Sequence, residues 1–230
     1  YSLAEDRILR LLNAPDENTK IAAAYAMYKL GHEKYLDDLK EAVRSTDQTV
    51  RANAVMLLGK SDDKNALDIL YWAKDADDSE PRVRYQATAA IAILGDVEIT
   101  PKIWTLLVSK FAENKIIGVE AMGALATPQA HEALLTKLDD DILEVRLAAA
   151  EQLALLNDNT GELVIRSVFE QNLTSGLGEQ GRERVLVLAA IAIGRIGTEE
   201  LAGYLPKLIG DESPLVRLAA AQAVLRTAGK

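Results

Sequence analysis

One segment recurs along the 230-residue chain and constrains its fold more than any other feature. The clearest copy runs from Val145 to Leu156 and carries a basic residue, Arg146, near its start. With Arg146 as the reference, the equivalent positions are Lys20, Arg51, Arg84, Lys115, Arg146, Leu186 and Arg217. Their spacings are 31, 33, 31, 31, 40 and 31 residues. A period near 31 residues predicts seven copies of one small structural unit stacked into an array.

Two columns of this internal alignment have the residue sizes of a packed helix. The residue three positions after the reference is always small: Ala23, Ala54, Ala87, Gly118, Ala149, Ala189 and Ala220. The residue seven positions after it is always large and apolar: Met27, Leu58, Ile91, Met122, Leu153, Ile193 and Val224. Both columns lie on one face of a 3.6-residue helix. We therefore expect the first to allow close helix contact and the second to fill the core.

A second helix precedes each recurring helix. The apolar pattern predicts these helices at Leu3–Leu12, Lys34–Val43, Lys64–Trp72, Pro101–Phe111, Pro128–Leu138, Glu162–Phe169 and Glu199–Ile209. Ser2 and Glu5 have the spacing of a capping box, and three hydroxyl-proline pairs are typical of helix starts: Thr100-Pro101, Thr127-Pro128 and Ser213-Pro214. Gly31, Gly95 and Gly197 stand where a left-handed C-terminal residue is expected. The sequence predicts fourteen helices in seven pairs and no strands.

Composition limits the classes of function. There are 35 acidic and 26 basic residues, giving a net charge of −9, which argues against a nucleic-acid-binding surface. The absence of cysteine excludes disulfides, thiolate metal sites and a cysteine nucleophile. No apolar run approaches the ~18 residues of a membrane span. The sequence favours a soluble, cytoplasmic protein; an extracytoplasmic location stays open because the chain begins at Tyr1, as a processed or trimmed chain would.

The recurring pattern, an acidic residue followed by Val-Arg-x-x-Ala-Ala and a later Leu-Gly, resembles the HEAT repeat. The 31-residue period is similar to the short subclass that also occurs in phycobilin lyases. Departures from the pattern are Ser61, Asn114-Lys115 and Leu186. The resemblance implies an all-α, right-handed α-α superhelix (a HEAT/armadillo-like solenoid) forming one domain over residues 1–230, with the Val-Arg helices on its concave side. It also implies that the reference cations pair with acids four to six residues before them, in a ladder between turns of adjacent repeats: Asp47, Asp78, Asp141 and Asp211.

Three motifs are candidates for sites of chemistry. His32-Glu33 and His131-Glu132 resemble the iron-binding motifs of deoxyhypusine hydroxylase, a HEAT-like enzyme. They lie 12 and 16 residues after their reference positions, so they are expected to be surface histidines rather than converging ligands. The acidic runs Asp75–Asp78 and Asp139–Asp141 lack the ligand order of a calcium loop and are expected to be solvated turns. No catalytic residue, metal ligand or cofactor is predicted.

The third motif, Gly176–Gly181, has the letters of GxGxxG but follows a predicted helix rather than a strand. It falls where the spacing rises to 40 residues. We therefore interpret it as a loop expansion around residues 173–183, and as a candidate recognition element because it interrupts a regular array.

Columns that vary freely should face a partner or solvent. Positions two, five and nine after the reference share one helix face, and they mix apolar anchors with polar side chains, as protein-binding surfaces do. The candidate partner-binding residues are Tyr25, Lys29, Asn53, Met56, Lys60, Gln86, Ile93, Ile117, Glu120, Glu151, Leu155, Leu188, Ile191, Arg195, Gln222 and Arg226. For Leu188 and Ile93, partial burial against the next repeat is the alternative.

These residues predict a non-enzymatic scaffold that binds a protein or peptide along the concave face. The alternative is a non-catalytic or chaperone-like subunit of a phycobilin-lyase-type enzyme, which the repeat type suggests. A DNA-binding, HEAT-like glycosylase is disfavoured because Lys29 and Lys60 alone do not form a basic groove.

Overall fold

The protein, seen in a computed structural model, is described for residues 2–76 and 80–228. Within these ranges it forms fifteen α-helices and two short 3₁₀ helices, Lys64–Ala66 and Val97–Ile99, without a β-strand. The α-helices are α1 Ser2–Leu11, α2 Glu17–Lys29, α3 Tyr35–Ala42, α4 Gln48–Gly59, α5 Leu67–Asp75, α6 Pro81–Ile93, α7 Thr100–Leu107, α8 Ala112–Leu125, α9 Pro128–Lys137, α10 Leu143–Leu155, α11 Glu162–Glu170, α12 Glu179–Ile196, α13 Glu199–Ala202, α14 Leu205–Ile209 and α15 Pro214–Thr227.

The predicted helix pairs are confirmed. All seven recurring helices form, as α2, α4, α6, α8, α10, α12 and α15. The helix predicted over Glu199–Ile209 is divided into α13 and α14. Proline is tolerated in the first turn of a helix but not in its interior, so Pro206 is compatible with a new start at Leu205.

The chain forms two compact units, Tyr1–Leu106 and Leu107–Lys230. Unit 1 contains α1 to α6 and α7 as far as Leu106, and unit 2 contains α8 to α15. Within unit 2, α8 packs on α10, α10 on α12, and α12 on α15. Within unit 1, α2 packs on α4 and α4 on α6. A single domain over residues 1–230 stays a prediction.

The two alignment columns lie in the core as expected. Every residue three positions after the reference is buried, and so is every residue seven positions after it except Val224 on α15. Val224 is exposed because no later helix within the described residues covers α15. Close helix contact leaves no room for a side chain at Gly59, where a Cβ atom would lie 2.7 Å from the Ala90 Cα. The same holds at Gly194, where it would lie 2.7 Å from the Ala223 Cα.

Most of the predicted helix ends are confirmed. Thr127 and Ser213 accept backbone N–H groups at the starts of α9 and α15, and Gly31, Gly95 and Gly197 have φ of 98°, 81° and 72°. The expectation for Thr100 is wrong. A 3₁₀ turn precedes α7, so the Thr100 hydroxyl donates to the Val97 carbonyl instead of capping the helix. The Ser2 side chain of the expected capping box lies outside the described part of the chain.

Three of the four reference arginines have a structural role, but the acceptor expected for them is wrong. Arg51, Arg146 and Arg217 donate to backbone carbonyls six residues earlier, in the turn of their own repeat, at 2.8, 2.8 and 2.9 Å. The carbonyls accept because the end of the preceding helix leaves them without intrahelical partners. These arginines therefore join the two helices of one repeat rather than neighbouring repeats.

Ion pairs between repeats exist in unit 2. They include one reference cation, Lys115, and one expected acid, Asp211, but the partners are Asp140 and Arg182. Lys115 binds both carboxylate oxygens of Asp140 at 2.9 Å, and Lys137 binds Asp140 at 3.1 Å. Arg182 pairs with Asp211, whose pKa this hydrogen bond lowers.

The expectations for the acidic turns are corrected in part. The Asp139–Asp141 run is not a wholly solvated turn, because Asp140 is buried between the two lysines. Of the other expected ladder acids, Asp47 caps α4, Asp141 is exposed, and Asp78 lies outside the described residues, as does Asp77.

The insertion before the sixth recurring helix is divided between loop and helix. The connection spans residues 171–178, and α12 already begins at Glu179. Residues 179–183, which the sequence placed in the expanded loop, are helical because they extend the first turns of α12. The GxGxxG letters therefore follow a helix, α11, and not a strand.

Candidate binding surface

The candidate residues lie on the recurring helices and are described separately for each unit. The unit 1 strip comprises Tyr25, Lys29, Asn53, Met56, Lys60, Gln86 and Ile93 on α2, α4 and α6, with Lys60 at the C-cap of α4. The unit 2 strip comprises Ile117, Glu120, Glu151, Leu155, Leu188, Ile191, Arg195, Gln222 and Arg226 on α8, α10, α12 and α15. No helix within the described residues is long and apolar enough to cross a membrane.

Three members of the unit 1 strip are engaged in contacts between repeats. The Tyr25 hydroxyl donates to the Lys60 carbonyl at 3.0 Å, and Lys29 pairs with Asp62 at 2.9 Å. The hydrogen bond to Asp62 raises the pKa of Lys29 above its ordinary value. The Asn53 amide donates to the Asn18 side chain at 2.8 Å. These side chains stabilise the stacking of α2 and α4.

The rest of the unit 1 strip is only partly accessible. Met56 and Gln86 are half-buried, whereas the Lys60 and Ile93 side chains are exposed. Burial of Ile93 against a following helix is therefore not observed within unit 1. The strip offers few free apolar anchors, so unit 1 is the weaker half of the candidate surface.

The unit 2 strip has an apolar centre between α10 and α12. Leu188 and Ile191 are half-buried one turn apart on α12, and Leu155 at the end of α10 is 44% exposed. Burial of part of the Leu188 side chain agrees with its expected contact with the neighbouring repeat. When a partner covers aliphatic side chains that are partly exposed on a packed helical scaffold, the removal of apolar surface from water favours binding.

Two acid-arginine pairs flank this apolar centre. Glu151 Oε1 lies 3.5 Å from Arg195 Nε, and Glu144 Oε1 lies 3.6 Å from Arg184 Nη2. Each pair joins α10 to α12, and the two arginines bracket Leu188 and Ile191 along α12. We call these seven side chains the α10–α12 patch: Glu144, Glu151, Leu155, Arg184, Leu188, Ile191 and Arg195.

The carboxyl group of Glu151 is largely buried within the patch. Burial raises the pKa of its carboxyl above the ordinary value, while the positive charges of Arg195 and Arg226 oppose the shift. The carboxyl is therefore incompletely compensated, and a partner that supplies a hydrogen-bond donor there would stabilise its charged form.

Sequence reasoning missed Asn18, Glu144 and Arg184. Each stands two residues before a reference position: Lys20, Arg146 and Leu186, respectively. That column lies on the same helix face as the columns two, five and nine residues after the reference. Extending the comparison one turn toward the start of each helix would have found them.

The remaining expected sites of chemistry are structural contacts. His32 Nε2 lies 2.7 Å from Glu5, and His131 Nε2 lies 2.8 Å from Asp158, so each histidine pairs with a carboxylate 27 residues away. Over residues 2–76 and 80–228, no three His, Asp or Glu side chains converge as metal ligands. A cavity of about 780 Å³ in unit 1, lined by Lys20, Ile21, Tyr35 and Arg44 among others, contains no member of the unit 1 strip.

Comparisons with known proteins agree with this architecture. Residues 36–112 match the family model of HEAT repeats, and residues 19–45 match that of the PBS lyase HEAT-like repeat. No curated protein matches the sequence significantly.

A solved structure with a TM-score above 0.5 shares the fold. The complex of CpcE and CpcF of phycocyanin lyase from Nostoc sp. PCC7120 is similar with a TM-score of 0.58 and 20% identity, over 96% of this chain and 86% of that chain. Human deoxyhypusine hydroxylase in complex with glycerol gives a TM-score of 0.47 and 14% identity over 99% and 97%. A designed armadillo repeat protein gives 0.34 and 20% over 96% and 98%. The helix pairs and the CpcE–CpcF likeness show an all-α, HEAT/armadillo-like repeat fold, and the matches to HEAT-repeat family models extend over residues 19–112.

Proposed function

We propose that the chain is a non-enzymatic scaffold that binds a segment of another protein across the α10–α12 patch. The observation that carries the proposal is the apolar centre of Leu155, Leu188 and Ile191 between two cross-repeat acid-arginine pairs. An apolar centre with a polar rim is the usual anatomy of a protein interface. The rigid helices present these side chains without a large ordering cost on binding.

The chemistry of the patch defines the kind of segment that fits. One or two aliphatic or aromatic side chains would cover Leu188 and Ile191. Because the rim carries both Glu and Arg, the segment should have polar or charged groups of both signs beside those anchors. A uniformly basic or uniformly acidic segment would meet a like charge on one side of the patch.

A peptide selected from a random display library provides the probe. Peptides of about 12 residues would be selected on the immobilised chain, and the Kd of one selected peptide measured by fluorescence anisotropy. Leu155→Glu should weaken binding at least about tenfold, because it places a charge in the apolar centre.

The matched control is Leu163→Glu, which adds the same charge at an exposed position of α11 outside the patch. It should leave the Kd within about twofold of the original value. Circular dichroism would confirm that both variants keep their helices. Unchanged binding by a helical Leu155→Glu variant would exclude this surface.

A second function, a subunit that assists bilin attachment, is favoured by two comparisons. The matched PBS lyase HEAT-like repeat and the likeness to the CpcE–CpcF complex both point to it. The test is co-expression of the chain with a bilin and an acceptor protein, followed by visible absorbance of the purified acceptor. Absence of a coloured adduct, with chain and acceptor both present, would count against this function.

A further inference from the structure

Acidic and basic side chains are separated on one face of the recurring helices of unit 2. This face comprises the positions two before and two, five and nine after the reference, which lie within about 60° of one another around a helix. On α8 and α10 every charged residue at these positions is acidic, and we call this set the acidic half: Glu113, Glu120, Glu144 and Glu151. On α12 and α15 every charged residue there is basic, and we call this set the basic half: Arg184, Arg195 and Arg226.

The packing order of the helices places the two halves side by side. Helix α8 packs on α10, α10 on α12, and α12 on α15, so two acidic helices are followed by two basic ones. The two acid-arginine pairs of the α10–α12 patch stand at the junction, because both join α10 to α12. The face therefore changes sign once across unit 2, between its second and third recurring helices.

The pairs at the junction do not cancel this separation, because in each of them the arginine is the more exposed member. The Arg184 side chain is 62% exposed and that of Glu144 is 20% exposed. The Arg195 side chain is 34% exposed and that of Glu151 is 19% exposed. A molecule that approaches α12 therefore meets guanidinium groups before it meets the carboxylates beneath them.

The outer edge of the acidic half is open to a partner, and the apolar centre lies between the two halves. Glu113 and Glu120 on α8 are both exposed. Leu155 at the end of α10, and Leu188 and Ile191 on α12, follow in the direction of the basic half. A segment that crosses from α8 to α15 meets carboxylates, then aliphatic side chains, then guanidinium groups.

We propose that the partner segment has its own charges in a fixed order: Lys or Arg at the end over α8 and α10, apolar side chains in the centre, and Asp or Glu at the end over α12 and α15. This inference rests on the proposed function, because it specifies the partner of the α10–α12 patch. Any other order places like charges opposite each other at one end or at both, which opposes binding.

The spacing of the helices sets the distance between the two charged ends. Packed helices lie about 8–10 Å apart, so the centres of the two halves, two helices apart, are separated by about 16–20 Å. A peptide of about 12 residues is too short for a stable isolated helix, so the length of an extended chain applies. At about 3.3 Å per residue, five or six residues cover this distance.

The probes are peptides of about 12 residues, selected from a random display library on the immobilised chain. The selected peptides should carry basic and acidic residues at opposite ends, about five or six residues apart. Replacing either the basic or the acidic residues of one such peptide by serine should raise its Kd at least about threefold at about 0.05 M salt. Selected peptides with charges of one sign, or with both signs mixed at each end, would overturn the proposal.

Charge reversal on the protein tests which end lies over which half. Glu113→Arg combined with Glu120→Arg should raise the Kd of the selected peptide at least about tenfold in fluorescence anisotropy. A peptide whose basic residues are replaced by Glu should bind this variant more tightly than it binds the original chain. Failure of this exchange would refute the assignment of the basic end to α8 and α10.

The control makes the same change in charge away from this face. Glu132→Arg combined with Glu179→Arg alters exposed residues on α9 and in the first turn of α12, on the opposite side of that helix from Leu188. The Kd should stay within about twofold of the original value. Circular dichroism would confirm that both double variants keep their helices, and the serine-substituted peptides keep the proposal testable if the Glu113/Glu120 variant fails to fold.

Leu155→Glu separates failure of this inference from failure of the proposed function. If Leu155→Glu weakens binding but the Glu113/Glu120 variant behaves like its control, the charge order is refuted and the binding surface stands. If Leu155→Glu leaves binding unchanged, the binding surface is refuted and the charge order with it. The absence of any selected peptide with a Kd below about 100 µM would refute both.

Discussion

At the scale of single residues, Asp140 shows how a short acidic run acquires a specific role. Burial alone would raise the pKa of its carboxyl, but hydrogen bonds from Lys115, the Ile142 N–H and Lys137 outweigh burial and lower the pKa. One carboxylate thus joins α8, α9 and the start of α10. It replaces the predicted arginine-aspartate ladder at this point of the array.

The lowered pKa predicts a pH-dependent stability. The folded state holds Asp140 charged, so its contribution is complete above the unfolded pKa of ~3.9 and is lost as the pH falls through the lower folded value. At pH 7, Asp140→Asn should lower the free energy of unfolding by roughly 2–4 kcal/mol, since breaking a buried ion pair costs ~3–5 and the lysines keep some exposure.

Urea titrations at about pH 7 and about pH 3 would measure this effect. The difference in the free energy of unfolding between the original chain and Asp140→Asn should shrink at the lower pH. Asp141→Asn is the control, because Asp141 is exposed in the same turn and its replacement should change little. A difference of equal size at both pH values would contradict the assigned role.

The two core columns predict opposite kinds of damage at neighbouring residues. Leu153 is fully buried, so Leu153→Ala should cost roughly 2–5 kcal/mol through lost burial and a cavity. Ala149→Leu should cost about 1–3 kcal/mol by overpacking the helix contact. Thermal or urea unfolding would measure both. Leu155→Ala, at a partly exposed position of the same helix, is the comparison and should be nearly neutral. If neither core variant changed the stability, the alignment of the repeats would be wrong.

At the scale of elements, α12 contains two glycines with opposite expected behaviour. A Cβ atom on Gly194 would meet the Ala223 Cα at 2.7 Å and its Cβ at 2.9 Å. A Cβ atom on Gly181, in the first turn of the same helix, would have its nearest contact at 3.6 Å. The first glycine is required by the neighbouring helix, and the second is not.

Alanine substitution separates these two cases. Gly194→Ala should lower the free energy of unfolding by about 1–3 kcal/mol, because α12 and α15 must separate. Gly181→Ala should raise it by up to ~1 kcal/mol, because alanine loses less backbone entropy than glycine in a helix. Chemical denaturation of the two variants would measure both changes. If both substitutions changed the free energy of unfolding equally and with the same sign, helix propensity rather than helix contact would determine the stability of both variants.

At the scale of the whole molecule, the distribution of charge argues against nucleic-acid binding. The net charge is −9, and the basic members of the unit 2 strip have an acidic neighbour. Arg195 pairs with Glu151, and the positive charge of Arg226 opposes the rise that burial causes in the pKa of Glu151. DNA affinity depends on unpaired cations that displace counterions from phosphates. We therefore expect no shift of a duplex of about 20 base pairs at about 50 mM salt in fluorescence anisotropy. Saturable, salt-sensitive binding at micromolar concentration would reopen the nucleic-acid class.

The sequence by itself determined the helix pairs and their buried columns. A unit that recurs seven times, mostly at a spacing of 31 residues, allows few alternative helix assignments. Small residues such as Ala149 and large ones such as Leu153 must alternate on one face wherever helices stack. The same local signals placed the caps at Thr127 and Ser213 and the left-handed glycines. These features depend on neighbours within a few residues or on the repeat itself.

Only the tertiary structure decided which polar side chains pair across repeats. Tyr25 and Lys60 are 35 residues apart, and Lys115 and Asp140 are 25 apart, so their contacts depend on helix rotation and spacing that no local pattern encodes. For the same reason Tyr25, a predicted partner-binding residue, holds the next repeat, while Glu144 and Arg184 complete the α10–α12 patch. The exposure of Leu218 and Leu225 on α15 was likewise decided by packing, because the residues one and eight positions after the reference are buried or half-buried on the earlier recurring helices.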